Sequence, residues 1–141
     1  MPEYARLIGI DVGKKRCGIA QTDLLKTIAT PVGTFSPDET IQKIEYLVKE
    51  SPIERFIVGW PLMPDGNEGA ATEMVQEFIN RISKKFKDIP ISKIDERYTS
   101  NRAKEVMLEI GIPKKKRRQK ERVDRIAAAV ILQTYLDSNY Q

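Results

Sequence analysis

The chain has 141 residues, of which 40% are hydrophobic and 31% charged, and its formal net charge is +4. This length is typical of one domain with a substantial core, so we expect a single domain over residues 1–141. No apolar run approaches the roughly 18 residues that a membrane-spanning helix needs. The first residues lack the pattern of a secretory signal, so we expect a cytoplasmic protein without a membrane segment.

Two residue types that often carry enzyme chemistry are scarce. The chain has no histidine, and its one cysteine is Cys17. These counts exclude a Ser-His-Asp or Cys-His nucleophile, histidine-ligated zinc, an internal disulfide and a CxxC pair. If the protein is an enzyme, we expect its chemistry to use carboxylates and metal ions, and carboxylate oxygens suit Mg²⁺ or Mn²⁺.

The first third of the chain predicts a three-stranded antiparallel meander. Apolar and β-branched runs predict strands over residues 4–12, 17–22 and 29–35. Pro31 and Gly33 make the third an edge strand or a bulged strand. Ser36 then has the features of a helix N-cap, because Glu39 follows three residues later and apolar residues recur at spacings of three and four.

Strands and helices alternate over the rest of the chain. The pattern predicts strands at 55–60 and 89–95, and helices at about 68–86, from Thr99 or Ser100 to Ile110, and from about Glu121 onward. A meander followed by this alternation predicts an α/β protein with a five-stranded mixed sheet and helices on both faces. This order of elements resembles that of the ribonuclease H-like fold.

The positive charge is concentrated in one short segment. Residues 113–125 contain eight Lys or Arg and two acids, which leaves 16 basic and 18 acidic residues elsewhere. Such a segment favours a polyanionic partner, most often a nucleic-acid backbone. The alternatives are a solvated loop and a localisation-type basic run. The candidate phosphate contacts in it are Lys114, Lys115, Lys116, Arg117, Arg118, Lys120 and Arg122.

Three acids occupy positions where they could converge. Asp11 ends the first predicted strand, Glu96 follows the last one, and Asp124 lies in the first turn of the last helix. Ligands gather beyond the carboxyl ends of parallel strands. Three carboxylates there could bind one or two Mg²⁺ ions, which activate water and stabilise the leaving oxygen of a phosphodiester.

Each acid also has a purely structural explanation. Asp11 precedes a glycine at a strand end, which is common in turns. Glu96 could pair with Arg97 or Arg102 on the surface, and Asp124 suits the positive end of the helix dipole. The basic segment next to Asp124 favours the joint explanation, a nuclease site.

Four segments resemble one known family. They are GIDVGKKRCGIAQTD (9–23), VGWPLMPDGNEG (58–69), DERYTS (95–100) and KERVDRIAAAVILQTYL (120–136). In this order, and over essentially the whole chain, they resemble the YqgF/RuvX family. Its members are ribonuclease H-like proteins described as Holliday-junction-resolvase-like and as nucleases of the 5′ end of pre-16S rRNA.

The resemblance implies roles for individual residues. Asp11, Glu96 and Asp124 would be the catalytic acids and metal ligands, and hydrolysis would leave a 3′-hydroxyl and a 5′-phosphate. The matching motifs also contain four candidate phosphate contacts: Lys15, Arg16, Arg97 and Thr99. The loop at residues 61–69 would border the substrate groove, or be only a strand-to-helix turn.

Some positions differ from the family pattern. An aromatic residue is usual where Val12 stands, Leu where Trp60 stands, and Asn-Met where Met63-Pro64 stand. These differences concern the groove and leave the acids in place. Trp60 could stack on a base, but its position at an apolar strand end favours burial.

The leading hypothesis is a metal-dependent endonuclease acting on structured RNA, with pre-rRNA as substrate and a ribosome-associated factor as a further partner. A DNA junction resolvase would use the same acids and should be a two-fold dimer; the sequence leaves monomer or homodimer open. A non-catalytic nucleic-acid-binding module is the alternative of another class. An actin-like ATPase would need two such domains, which the length excludes.

Overall fold

A computed structural model describes residues 4–98 and 120–139. Its strands are β1 (Arg6–Val12), β2 (Cys17–Thr22), β3 (Ala29–Phe35), β4 (Ile53–Trp60) and β5 (Ile91–Asp95). Its helices are α1 (Pro37–Glu50), α2 (Ala70–Lys85) and α3 (Lys120–Asn139), and a 3₁₀ turn covers Glu96–Tyr98. Every element predicted within these ranges is present. The helix predicted from Thr99 or Ser100 to Ile110 lies outside the described residues.

The five strands form one mixed sheet in the order β3-β2-β1-β4-β5. The first three strands pair antiparallel, and β1, β4 and β5 run parallel. β3 is an edge strand, and its pairing with β2 shifts register between the pairs Ile19↔Gly33 and Ala20↔Pro31, which confirms both expectations for this strand. Because β1, β4 and β5 are parallel, their carboxyl ends meet at one edge of the sheet.

Local hydrogen bonds decide where α1 and α2 begin. The Ser36 hydroxyl accepts from the Glu39 N–H, and the Glu39 carboxylate accepts from the Ser36 N–H, so the predicted capping box is formed. α2 begins at Ala70, two residues after the predicted start. There the Thr72 hydroxyl accepts from the Gly69 N–H and donates to the Gly69 carbonyl.

Both faces of the sheet are covered by helices, as predicted. Side chains alternate along a strand, so Ile8 and Ile10 pack in one cluster with α1 and α2, whereas Leu7 packs in the other with α3. Residues 126–136 of α3 are mostly buried, and Ala128, Ala129 and Leu132 are fully so. No helix in the described ranges has the length and apolar character to cross a membrane.

Close packing of α3 on β1 depends on a glycine. A Cβ atom at Gly9 would lie 2.8 Å from Leu132 Cβ and 3.0 Å from the Ala128 carbonyl oxygen. The Gln133 side chain also accepts a hydrogen bond from the Ala29 N–H at the start of β3. Gly9 therefore lets the helix approach the strand that ends in Asp11.

Candidate active site

Two of the three predicted acids meet at the carboxyl edge of the parallel strands. Ile10 of β1 is level with Val58 of β4, so Asp11 is level with Gly59. Gly59 in turn pairs with Ile94, and Glu96 follows β5 directly. The chain thus brings Asp11 and Glu96 to opposite sides of β4, and the two side chains share a hydrogen bond.

The close approach of two carboxyl groups changes the acidity of Glu96. Burial of this side chain is the largest cause, and the charge of Asp11, the shared hydrogen bond and the charge of Asp95 act in the same direction. Together they raise the pKa of Glu96 to about 7. Each cause disfavours a second negative charge at this position.

Gly59 makes room for the Glu96 side chain. A Cβ atom at position 59 would lie 2.5 Å from Glu96 Oε1 and 2.6 Å from Ile131 Cδ1. The glycine therefore leaves a recess between β4 and α3 that the Glu96 carboxyl fills. The sequence offered a signal for this role, because a glycine inside the apolar run RFIVGW suggests close approach of another group.

The site has the chemistry of a divalent-cation site. Asp11 and Glu96 present hard oxygen atoms, and a cation between them would offset the charge of Asp11, which acts together with burial to raise the pKa of Glu96. Within residues 4–98 and 120–139, no three His, Cys, Asp or Glu side chains with described positions form a metal-binding group. Asp124 lies one helical turn before Ala128 in α3, and its side chain is outside the described part.

The predicted phosphate contacts other than Arg97 divide into two groups. Lys15 is exposed and Arg16 partly exposed in the turn between β1 and β2, at the same edge as Asp11. This turn requires glycine at position 13, because a Cβ atom there would clash with the Arg16 carbonyl oxygen. Thr99 and Lys114, Lys115, Lys116, Arg117 and Arg118 lie outside the described residues, as do the side chains of Lys120 and Arg122.

Arg97 is engaged with its own neighbours. Its guanidinium donates to both carboxylate oxygens of Asp95, with the shortest distance 2.8 Å, and to the carbonyl oxygen of Pro64 at 3.4 Å. The role of Asp95 was not predicted from the sequence. An acid two residues before an arginine in DER was the only available signal.

Trp60 is a buried side chain, as the sequence favoured. It is 9% exposed and packs in the cluster under α1 and α2. Lys93 Nζ lies 3.8 Å from the centre of its ring and donates to Gln76. The indole is therefore part of the hydrophobic core.

Relatives of known name cover nearly the whole chain. Proteins named "Putative pre-16S rRNA nuclease" from Chlorobium phaeobacteroides and Salinibacter ruber are 43% and 44% identical over 133 residues. The alignments cover 94% of this chain and 92% and 93% of those proteins.

The fold is similar to that of two solved RuvC structures. The structure of Thermus thermophilus RuvC superposes with a TM-score of 0.56 at 15% identity, covering 94% of this chain and 96% of that chain. RuvC of the same organism in complex with a Holliday junction substrate gives 0.55 at 17% identity, covering 96% and 97%. These superpositions confirm the predicted ribonuclease H-like architecture.

The match to a family is equally extensive. The sequence model of RuvX, described as Holliday junction resolvase, matches residues 5–138. This match and the identities above confirm the resemblance found in the motifs: the chain belongs to the RuvX family.

Proposed function

We propose that this protein is a metal-dependent endonuclease that hydrolyses phosphodiester bonds in structured RNA, and that it processes the 5′ end of pre-16S rRNA. The observation that carries the proposal is the pairing of Asp11 with Glu96 at the carboxyl edge of β1 and β5. Two half-buried carboxyl groups in contact are costly for stability. A cation bound between the two carboxyl groups would offset this cost, so the pair suits a cation-binding site.

Asp11, Glu96 and Asp124 are the proposed ligands of Mg²⁺ or Mn²⁺. When bound, the ion supplies Lewis-acid activation of water and neutralises charge on the phosphate. The chain itself positions the acids: β1 and β5 bring two of them to strand ends on either side of β4, and Gly59 gives Glu96 its recess. Asp124 would join them from the start of α3, which Gly9 allows to pack closely on β1.

The proposed phosphate contacts surround this edge. Lys15 and Arg16 extend from the turn that follows Asp11, and the basic segment at residues 114–122 directly precedes Asp124 in sequence. Cationic side chains on both sides of the acids would neutralise the flanking phosphates of a polynucleotide. A small phosphate ester would not use so many charges.

The names of the relatives support pre-16S rRNA as the substrate. A second candidate, resolution of four-way DNA junctions, is supported by the description of the family model. The contact between Asp11 and Glu96 argues against a binding module without catalysis, since such a module gains nothing from it. We further propose one domain over residues 1–141 acting in the cytoplasm, with a ribosome-associated factor as partner.

Parallel cleavage assays test the proposal. A pre-rRNA 5′ fragment and a four-way DNA junction are incubated with Mg²⁺ or Mn²⁺ and the wild-type protein, Asp11→Asn or Asp88→Asn. Asp88 is an exposed acid between α2 and β5, so its substitution controls for the removal of one negative charge. We expect cleavage of the RNA by the wild type and Asp88→Asn, and none by Asp11→Asn.

The other outcomes decide between the alternatives. Cleavage of the junction alone, together with a two-fold dimer in solution, would replace the rRNA proposal with a resolvase. Binding of either nucleic acid without metal-dependent cleavage would favour the non-catalytic module.

A further inference from the structure

The loop at residues 61–69 has a defined internal structure. The Met63 N–H donates to the Asn67 carbonyl at 2.9 Å, and the Gly66 N–H donates to the Met63 carbonyl at 2.8 Å. The Asp65 carboxylate accepts from the backbone and side-chain amides of Asn67. Gly66 has φ +91°, a conformation that favours glycine. The loop is therefore a turn with its own hydrogen bonds.

Arg97 joins this loop to the edge that carries Glu96. Three hydrogen bonds from its guanidinium go to the Asp95 carboxylate, and another goes from Nη1 to the Pro64 carbonyl at 3.4 Å. A Cβ atom at Gly66 would lie 3.4 Å from Nη1 and 3.8 Å from Nη2. The guanidinium therefore lies between the end of β5 and the loop, within ordinary contact distance of Gly66.

A lysine at position 97 could not form the same pair of contacts with Asp95. Bidentate pairing with a carboxylate needs the planar fork of a guanidinium, whereas an ammonium group is a point charge. The Arg97 side chain is 30% exposed and that of Asp95 is 23% exposed, so solvent only partly screens the pair. The hydrogen bonds from Arg97 also hold the pKa of Asp95 below its ordinary value.

We propose that Arg97 is a positioning residue: bound to Asp95, it fixes the 61–69 loop beside Glu96 as one wall of the substrate groove. Met63 of that loop is 52% exposed and offers an apolar contact at the rim. The inference rests on the proposed nuclease function for what the groove binds. It replaces the sequence-based expectation that Arg97 contacts phosphate, which becomes an outcome of the test.

Hydrogen exchange of the free protein tests the positioning role without any substrate. The variants are Arg97→Lys, Arg97→Gln and Asp95→Asn. Arg81→Gln is the matched control, because Arg81 forms an exposed ion pair with Asp38 away from the loop. We expect the amides of Met63, Gly66 and Asn67 to exchange about tenfold faster in the first three variants and to stay unchanged in the control. Unchanged exchange in Arg97→Gln would overturn the proposal.

Cleavage kinetics and binding then separate a positioned wall from a phosphate contact. They are measured for all variants at the same pH of 8.5 and the same metal concentration. We expect KM to rise about tenfold in all three variants with kcat changed less than twofold, and the Arg97→Gln, Asp95→Asn double variant to be no worse than either single one.

The salt dependence of binding distinguishes a positioning role of Arg97 from a direct phosphate contact. A positioning role leaves the slope of log affinity against log salt unchanged. A direct phosphate contact would lower the slope in Arg97→Gln, preserve near-normal binding in Arg97→Lys and leave Asp95→Asn without effect, and this pattern would overturn the proposal. If the wild type cleaves neither substrate, the nuclease function fails, while the exchange experiment still decides whether Arg97 fixes the loop.

Discussion

Asp11 and Glu96 share a hydrogen bond across the carboxyl end of β4, although both are acids and their strands are not neighbours in the sheet. The contact raises the pKa of Glu96, first through burial and then through the charge of Asp11. Stability and function therefore oppose each other at this edge. The acid pair weakens the free protein at alkaline pH and provides the oxygen atoms that a cation needs.

The first prediction concerns Asp11→Asn and the pH dependence of stability in the absence of metal. Glu96 has a folded pKa of about 7 against an ordinary value of 4.5, so the folded state binds a proton that the unfolded state has released. The free energy of unfolding should fall as pH rises from about 4.5 to 7 and then level off. Because the side chain is partly open to solvent, we expect a decrease of about 1–2 kcal/mol.

Asp11→Asn removes the neighbouring charge, so this variant should lose less stability over the same pH range. Urea denaturation in EDTA at pH 4.5 and pH 8 measures the difference, with Glu96→Gln as a variant that lacks the titrating group. We expect both variants to have a larger free energy of unfolding than the wild type at pH 8. We expect neither variant to cleave nucleic acid. An identical pH slope in wild type and Asp11→Asn would show that Asp11 does not raise the pKa of Glu96.

The second prediction concerns Gly59→Ala. The new Cβ would be 2.5 Å from Glu96 Oε1 and 2.6 Å from Ile131 Cδ1, so the Glu96 and Ile131 side chains must both shift. We expect a destabilisation of about 1–3 kcal/mol, typical of overpacking, and a severe reduction of kcat, because the acid leaves its position beside Asp11.

Gly69→Ala is the matched control for this substitution. A Cβ there would lie 3.8 Å from Met63 Sδ, which is ordinary contact. Thermal unfolding and single-turnover cleavage of both variants are the measurements. If Gly59→Ala cleaves at the wild-type rate, Glu96 does not need the recess for catalysis.

Much of the fold follows from the sequence because buried strands and amphipathic helices leave strong patterns. The runs around Ile8 and Ile57 predict strands that are covered on both faces, and this is what the structure has. The ends of the helices are less predictable from sequence, because they depend on single hydrogen bonds such as that between Thr72 and Gly69 at the start of α2.

The candidate site was predictable at the level of strand ends and not at the level of contacts. Parallel strands bring Asp11 and Glu96 to one edge, and this was expected from their positions alone. That the two share a hydrogen bond depends on the register of β4 and on the absence of a side chain at Gly59. Likewise, the pairing of Arg97 with Asp95 depends on the 3₁₀ turn that follows β5, which no periodic pattern announces.

The third prediction concerns Asp23, in the connection between β2 and β3. Its carboxylate accepts from the Thr27 N–H at 2.8 Å, the Thr27 hydroxyl at 2.7 Å and the Ile28 N–H at 3.0 Å. Burial acts to raise the pKa of Asp23, but these hydrogen bonds outweigh it and lower the pKa to about 2. Because the folded pKa is depressed, its contribution to stability is present above about pH 4 and disappears as pH falls through about 2.

Asp23→Asn keeps the shape of the side chain and removes the charge. We expect the substitution to lower the free energy of unfolding by about 1 kcal/mol at pH 7, in the range of comparable backbone-capping carboxylates. We expect kcat and KM to stay unchanged, since the connection between β2 and β3 lies at the opposite end of the sheet from Asp11 and Glu96. Acid denaturation from pH 5 to pH 1.5, with Asp88→Asn beside it, measures the effect. Equal acid stability of Asp23→Asn and the wild type would contradict the depressed pKa.

The fourth prediction concerns the basic segment, whose residues 114–118 lie outside the described part of the chain. Replacing these five cationic residues with Gln should weaken binding to all nucleic acids alike, because phosphate contacts carry no sequence information. The slope of log affinity against log salt should fall by about 0.7–0.9 for each phosphate that the variant no longer neutralises. Fluorescence anisotropy with RNA and DNA of unrelated sequences, over a range of salt concentrations, gives both quantities.

Lys84→Gln with Lys87→Gln is the matched control for the basic segment. This double variant removes exposed positive charge near the carboxyl end of α2, away from the acids, and should leave the slope unchanged. An unchanged slope for the segment variant as well would make residues 114–118 a solvated loop, because none of their charges would then neutralise a phosphate. Lys15 and Arg16, in the turn that follows Asp11, would remain as the proposed contacts.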